Sequence, residues 1–116
     1  MTQPEVNYIY KAVVRSVYDA DTIRVDIDKG FNSWIHNETI RFMGIDAPEI
    51  RGEERPEGLK SKAWLLERIP PGTEVVLQTH KDRTGKYGRY LAWVWHEGVN
   101  LNEQMIIEGF AEPYPL

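Results

Sequence analysis

The 116-residue sequence contains no cysteine, which excludes both a disulfide bond and a thiolate metal site. It also lacks an apolar run close to the roughly 20 residues that a membrane-spanning helix needs. The first ten residues, MTQPEVNYIY, contain neither the basic leader nor the apolar segment of a secretory signal. We therefore expect a soluble protein that does not bind a membrane, with a cytoplasmic location as the default interpretation.

Positive charge is also scarce, because 18 acidic residues outnumber 14 lysines and arginines and give a formal net charge of −4. A protein that binds nucleic acid through its overall electrostatic field is expected to be basic. If this chain binds a polyanion, it must do so locally, through a bound cation or a focused basic patch. One such patch, called here the basic loop, covers residues 81–89 and carries four cationic side chains against Asp82. From charge alone, a solvated surface loop is the simpler interpretation of this segment.

The residues that are present predict one domain over residues 1–116, since 41% are hydrophobic and the chain is long enough to bury a core. Segments that are rich in β-branched and aromatic residues, or that alternate apolar and polar residues, predict five strands. These segments cover residues 8–18, 22–28, 39–45, 73–80 and 90–98. They predict a mainly β fold with helices (α+β), built on a five-stranded OB-fold-like β-barrel.

A helix is predicted between the third and fourth strands, over residues 58–69. Leu59, Ala63 and Leu66 recur there at helical spacing, with Leu65 and Ile69 on the neighbouring row, and these residues predict the buried face. Two prolines and a glycine follow, and these residues end the helix.

A second, short helix is predicted within residues 100–110. Asn100 or Asn102 is its N-cap, and Gly109 lies just beyond its end. The connection between the second and third strands, residues 29–38, is rich in turn residues and is predicted to be a loop.

Five charged residues stand at or near the ends of the predicted strands. A small barrel can bring its strand ends and loops together at one mouth, so these residues are candidates for a single site. They are Asp21, Arg41, Asp46, Glu49 and Arg89.

Such a set is suited to chemistry at a phosphodiester. The oxygens of Asp21 and Asp46 suit calcium or magnesium, which polarises a bound phosphate. Arg41 and Arg89 can each donate two hydrogen bonds to phosphate oxygens. Glu49 lies close enough in sequence to Asp46 to hold or deprotonate an attacking water. Taken singly, however, each residue is more simply a turn or surface residue.

Longer motifs resemble the staphylococcal nuclease family. DADT, IRFMGIDAPE, DRTGKYGR, LAWVW and VNLNEQMIIEGFA follow the order and spacing of that family from about residue 8 to residue 111. The resemblance implies a five-stranded OB-like barrel with helices packed on it. It also implies calcium-dependent cleavage of DNA and RNA that leaves 3′-phosphate ends.

The resemblance also implies a metal site. Asp21 and Asp46 match the metal-binding carboxylates of the family. Ala47 matches the residue whose backbone carbonyl binds the metal. Glu49 matches the acid that acts on the attacking water, as general base or as orienting group.

For the substrate, the resemblance implies a second group of residues. Arg41 and Arg89 match the two phosphate-binding arginines. Lys86 and Tyr87 match residues that contact a terminal phosphate of a bound nucleotide. Tyr114 lies in the region of the tyrosines that flank the base, although its spacing departs from the family pattern.

Three departures from the family stand out. Ala20 occupies a position that is usually glycine, which predicts a reshaped first turn if that position needs an unusual backbone angle. The chain stops at Leu116, before the third C-terminal helix of the best-known members, so two helices are expected. The net charge is acidic, so capture of substrate should depend on the basic loop.

Three functions are consistent with these features. The first is a metal-dependent nuclease acting on DNA or RNA, with unpaired strands preferred and a monomer as default. The second is a catalytically silent module of the same fold that binds nucleic acid or a protein. The third is a non-cleaving single-strand binder that stacks bases on aromatic residues, where the acidic cluster would repel phosphate. The tryptophans available for stacking are Trp34, Trp64, Trp93 and Trp95. Because all five charged site residues are present, the sequence favours the nuclease.

Overall fold

Residues 2–116 are described by a computed structural model, which contains eight strands and two α-helices. The strands are β1 (Ile9–Asp19), β2 (Thr22–Asp28), β3 (Trp34–Phe42), β4 (Ile45–Asp46), β5 (Glu74–Gln78), β6 (Tyr90–His96), β7 (Val99–Asn100) and β8 (Glu112–Pro113). The helices are α1 (Arg55–Arg68), which follows a 3-10 turn at Gly52–Glu54, and α2 (Leu101–Ile107). Within residues 2–116, no helix is both long enough and apolar enough to cross a membrane.

The five long strands close into a barrel. Antiparallel pairing gives the order β3-β2-β1-β5-β6, and β6 then returns to β3 in parallel. This closing contact joins Ile40 to Tyr90, Arg41 to Leu91 and Phe42 to Ala92. The predicted five-stranded OB-like barrel with two helices is therefore confirmed.

The barrel interior is filled by alternate residues of each strand, because successive side chains of a strand point to opposite faces. One inward residue from each long strand illustrates the pattern. Val14, Val25, Ile40, Leu77 and Val94 are all at most 1% exposed. Burying an aliphatic side chain of this size contributes about 1.5–3 kcal/mol.

Strand β3 begins earlier than predicted, and the predicted loop at residues 29–38 was wrong for its second half. Asn37 adopts a left-handed conformation with φ of 57°, and its N–H donates to the Asp26 carboxylate at 2.8 Å. This bulge lets the strand continue back to Trp34. The true connection is a short hairpin closed by the Lys29 N–H, which donates to the Ser33 carbonyl at 2.8 Å.

Helix α1 begins at Arg55, three residues before the predicted start, and its predicted buried face is confirmed only in part. Leu65 and Ile69 are fully buried, as predicted. Leu59 is 43% exposed and Ala63 is also exposed. The buried face instead carries Gly58, Ser61 and the large side chains that follow them. The Ser61 hydroxyl donates to a backbone carbonyl near the end of α2 at 2.8 Å. Burial of large apolar side chains therefore selects this face together with contacts to the loop and to the segment after α2.

Gly58 permits a backbone contact that no larger residue can keep. A Cβ at this position would overlap the carbonyl group of Glu49 and would lie 2.9 Å from the Ile50 nitrogen. Alanine in a helix is ordinarily more stable than glycine by about 1 kcal/mol. We expect the opposite here: Gly58→Ala should lower the free energy of unfolding by about 1–3 kcal/mol, because the backbone of Glu49 and Ile50 must move to admit the methyl group.

Urea denaturation of Gly58→Ala measures this effect. Lys60→Ala on the exposed face of α1 is the control and should change stability by less than about 0.5 kcal/mol. A Gly58→Ala protein as stable as the parent would show that the close contact is not present.

Helix α2 is fixed at its first turn by two asparagines with different roles. The Asn100 side chain accepts from the Glu103 N–H at 3.2 Å, so Asn100 is the N-cap.

Asn102 is fully buried inside the helix, and its carboxamide makes three hydrogen bonds to backbone. Its Nδ2 donates to the carbonyls of Met43 at 2.8 Å and Ala92 at 3.0 Å, and its Oδ1 accepts from the amide of Val94 at 2.9 Å. Asn102 thereby joins α2 to β6 and to the turn after β3.

The last residues of the chain lie beside that same turn. Strand β8 pairs antiparallel with β4, and the Tyr114 N–H donates to the Gly44 carbonyl at 2.9 Å. The C-terminal segment therefore forms a wall next to Asp46.

Candidate active site

Three of the predicted site residues meet where β1 turns into β2, at the end of β3. Arg41 lies opposite Thr22 in the β2–β3 register, which brings it next to the turn that carries Asp21. The Arg41 Nη2 is 3.5 Å from Asp21 Oδ2 and 3.7 Å from Asp46 Oδ1. Its Nη1 donates to the Phe42 carbonyl at 2.8 Å. One guanidinium therefore bridges two carboxylates.

Asp21 is held rigidly in this arrangement. It is buried, its Oδ2 accepts from the Ala47 N–H at 2.9 Å, and its Oδ1 accepts from the Thr22 hydroxyl at 3.1 Å. Its own carbonyl accepts from the Phe42 N–H at 2.8 Å. These contacts connect the first turn, β3 and the segment after β4, and they place the backbone of Ala47 beside Asp21.

The turn itself accommodates alanine without distortion. Asp19 and Thr22 are cross-strand partners, so the turn consists of Ala20 and Asp21. Ala20 does not adopt a positive φ, and its methyl group is fully buried in the core. Ala20 therefore fits this turn without the unusual backbone angle that glycine would allow.

Negative charge accumulates around Asp46. Partial desolvation raises the pKa of Asp46 above its ordinary value, the neighbouring Asp21 raises it further, and Arg41 lowers it only in part. The pKa of Asp19 is also raised, first by burial and then by Asp21. The ionised carboxylates at this point repel one another, and an added cation would relieve that repulsion.

The donor set fits a divalent cation that keeps part of its water. Across residues 2–116, no group of three or more histidines, cysteines or acids is placed to hold a metal ion. The protein donors would be the carboxylates of Asp21 and Asp46 with the backbone carbonyl of Ala47. All three are oxygen ligands of the kind that calcium and magnesium prefer.

A cleft of about 370 Å³ opens on the outer side of the β3–β6 contact. Its walls come from β3, β4, the basic loop and the C-terminal segment. The predicted site residues that line it are Arg41, Asp46, Lys86, Tyr87, Arg89 and Tyr114. The structure thus brings both arginines and all three predicted substrate-binding residues to one concave surface.

The basic loop is anchored at its base by Asp82. The Asp82 carboxylate accepts from the Tyr10 hydroxyl at 2.9 Å and from the Thr79 hydroxyl at 2.8 Å. Burial and then the Asp82 hydrogen bond raise the pKa of Tyr10 to about 12, so this hydroxyl remains a donor at neutral pH. No local motif indicates this anchor, since Tyr10 and Asp82 are 72 residues apart.

Within the basic loop, the cations surround one ring. Arg89 lies 5.3 Å and Lys86 5.4 Å from the centre of the Tyr87 ring. Arg41 lies 6.0 Å from the Tyr114 ring on the other wall. Each phosphate-binding candidate is therefore next to an aromatic side chain that could contact a base.

Glu49, like Asp21 and Ala47, is not among the residues that line the cleft. Its side chain is exposed, and its Oε2 lies 3.6 Å from the Arg51 Nε. Arg51 in turn donates to the Tyr18 hydroxyl at 2.5 Å. The adjacent Ile50 N–H donates to Asp19 at 3.3 Å, which keeps this segment at the edge of the carboxylate cluster. Neither Arg51 nor Tyr18 was predicted from the sequence. The only available signal was that Arg51 lies two residues from Glu49.

A family model described as "Staphylococcal nuclease homologue" matches residues 39–115. This range contains the part of β3 that closes the barrel, the basic loop and α2. The chain belongs to the staphylococcal nuclease family. Arg41, Asp46, Glu49 and Arg89 lie within the matched range, whereas Asp21 precedes it and is connected to the site by its contacts.

Several curated proteins of the staphylococcal nuclease family are similar over most of this chain. The thermonuclease of Staphylococcus hyicus is 32% identical over 105 residues, which cover 88% of this chain and 57% of that protein. The thermonuclease of Staphylococcus intermedius is 31% identical over 101 residues, covering 85% and 56%. Endonuclease YncB of Bacillus subtilis is 30% identical over 99 residues, covering 80% and 43%. The chain thus spans about half the length of the curated relatives it matches.

Proposed function

We propose that this chain is a calcium-dependent nuclease that hydrolyses phosphodiester bonds of DNA or RNA and leaves 3′-phosphate ends. The observation that carries the proposal is the convergence of Asp21 and Asp46 on Arg41 at the edge of a cleft that Arg89 also lines. Relatives named thermonuclease and endonuclease support the same chemistry.

The two arginines bind the phosphate that is attacked. Arg41 is fixed by a carbonyl and two carboxylates, so its position is set before substrate arrives. Arg89 approaches from the basic loop on the same cleft. Donors fixed in this way stabilise the charge that develops on the phosphoryl oxygens in the transition state.

Asp21 and Asp46 would hold the cation, together with the carbonyl of Ala47. When bound, calcium supplies positive charge that polarises a phosphoryl oxygen. The two carboxylates also keep the Arg41 guanidinium oriented toward the cleft. Neutralising either one would weaken both functions.

Glu49 accepts a proton from the attacking water or orients it. Its ion pair with Arg51 holds the carboxylate near the cluster but outside the cleft lining. Reaching a phosphate in the cleft therefore requires Glu49 to turn away from Arg51, or requires the water to lie between them.

The remaining cleft residues recognise the nucleotide. Lys86 and Tyr87 contact a terminal phosphate, and Tyr114 lies where it can flank a base. A narrow cleft that must contact one backbone phosphate closely is easier to reach for an unpaired strand than for a duplex. We infer a preference for single-stranded substrates and a monomeric enzyme.

A digestion experiment tests this function. Heat-denatured DNA incubated with the protein and calcium should be degraded, and EDTA should abolish the degradation, because it removes the positive charge that polarises the bound phosphate. The products should resist extension by a polymerase until a phosphatase removes the 3′-phosphate. Degradation that continues in EDTA would contradict the role of the metal, and extendable products would contradict the cleavage position.

A second candidate is a binding module without catalysis. The contact that favours it is the Glu49–Arg51 ion pair, which leaves the proposed water-activating group outside the cleft lining. Such a module would bind oligonucleotides in calcium without cutting them, and the same digestion experiment separates the two functions.

A further inference from the structure

The tip of the β2–β3 hairpin carries an aromatic residue in a conformation that does not suit it. Phe31 and Asn32 both have positive φ, at 53° and 63°, and the Ser33 N–H donates to the Gly30 carbonyl at 2.9 Å. This is the geometry of a type I′ turn, in which asparagine or glycine is favoured. Phe31 is also fully exposed. Both features are unfavourable for folding, and strain at an exposed position is characteristic of functional sites.

Two more rings lie on the outer face of the adjoining strand. Trp34 and His36 are stacked, with ring centres 6.3 Å apart and planes 5° from parallel. Trp34 is 44% exposed, and the His36 Nδ1 lies 3.3 Å from Asp26. The inward neighbour Ile35 lies opposite the buried Ile27, so the two rings face away from the core. Their free faces are available to a planar ligand.

The strand that carries Trp34 and His36 leads to the cleft. Trp34 and Arg41 are both on the outer face of β3, seven residues apart, which corresponds to roughly 23 Å. In OB folds, oligonucleotides bind to the face of strands 2 and 3 and to the loops that follow strands 1 and 4. The corresponding loops here are the turn with Asp21 and the basic loop, which both belong to the candidate site.

The charge of the chain indicates why such a surface would be needed. A protein with a net charge of −4 cannot hold a long polyanion through its overall field. Stacking of bases on aromatic rings needs no net positive charge. Lys29 at the hairpin and Arg24 on β2 supply local cations, and Arg24 donates to the Asn37 carbonyl at 3.3 Å beside His36.

We propose that Phe31, Trp34 and His36 form a stacking surface for unpaired nucleotides that flank the phosphodiester bond bound in the cleft. The inference rests on the proposed nuclease function and specifies its substrate as a single strand long enough to reach from the cleft to the hairpin tip.

Binding measurements with oligothymidylates of about 4 and 16 nucleotides test the proposal, since OB folds contact about 4–16 nucleotides. EDTA is present to prevent cleavage. Trp34→Ala should weaken binding of the long strand about fivefold or more, as expected for one lost stacking contact, and should leave the short strand unchanged. Ile107→Ala, which removes an exposed apolar side chain on α2, is the control and should change neither.

Phe31→Asn provides a test that a merely structural role would not pass. Asparagine suits the type I′ turn, so this variant should melt at a higher temperature than the parent while it binds the long oligonucleotide more weakly. If Phe31→Asn and Trp34→Ala both bind the long strand as the parent does, the stacking surface is refuted. If either variant instead changes the molecular mass in solution and leaves oligonucleotide binding intact, the patch is a protein contact and the proposal is overturned.

The two proposals can fail separately. A parent protein that cleaves DNA in calcium while the variants bind normally refutes only the stacking surface. A parent protein that binds long strands through Trp34 but never cleaves them supports the surface and refutes the nuclease.

Discussion

Arg89→Ala is expected to lower the turnover rate of the proposed nuclease reaction by about 10²–10³-fold. Arg89 lines the cleft opposite Arg41, and removing one fixed donor from a developing charge costs about 3–4 kcal/mol of transition-state stabilisation. Because this interaction strengthens in the transition state, kcat should fall much more than KM rises. Initial rates on denatured DNA at saturating calcium measure the effect.

Two further variants make the Arg89 result specific. Lys81→Ala removes a cation from the same basic loop at a position outside the cleft lining, so it should leave kcat close to that of the parent. Arg89→Lys keeps the charge but loses the planar fork, and should give an intermediate rate. An Arg89→Ala protein with unchanged kcat would remove Arg89 from the catalytic group.

Asn102→Ala is expected to lower the free energy of unfolding by about 3–5 kcal/mol. The substitution leaves the Val94 N–H and the Met43 carbonyl without their carboxamide partner, and each unsatisfied buried group costs about 1–3 kcal/mol. The Ala92 carbonyl loses one of its two donors and keeps the Met43 N–H. This is a large fraction of the total stability of a small protein. Urea denaturation followed by tryptophan fluorescence measures the loss.

Asn100→Ala is the matched control, since it changes the same residue type two positions away. It removes only an N-cap hydrogen bond and should cost about 1 kcal/mol. Equal losses in the two variants would show that the buried carboxamide of Asn102 does not join α2 to the barrel.

The barrel could be predicted from the sequence because its signals are local. Ile23, Val25 and Ile27 alternate with polar residues, and this period of two directly encodes an inward face. The buried face of α1 could be predicted only in part, through Leu65 and Ile69. Its members Gly58 and Ser61 are selected by a close backbone contact and a hydrogen bond, which apolar spacing does not detect.

The same distinction between local signals and tertiary contacts applies to the candidate site. The proximity of Asp21, Arg41 and Asp46 follows from their positions at strand ends, because pairing of β2 with β3 brings those ends together. The orientation of Glu49 toward Arg51 depends on loop side chains, and their conformations are set by contacts between residues that no short motif contains. The role of Asn102 was missed for a similar reason, since from sequence it was only a candidate N-cap.

The parallel contact between β3 and β6 that closes the barrel affects both thermal stability and ligand binding. It spans only three residue pairs, and Arg41 is the middle one. Fraying of this short junction would separate the two arginine-bearing walls while the antiparallel strands stay paired. Activity would then be lost at a lower temperature than the one at which the core unfolds. A nucleotide bound across both walls would hold the junction closed and would therefore raise the temperature at which the walls separate.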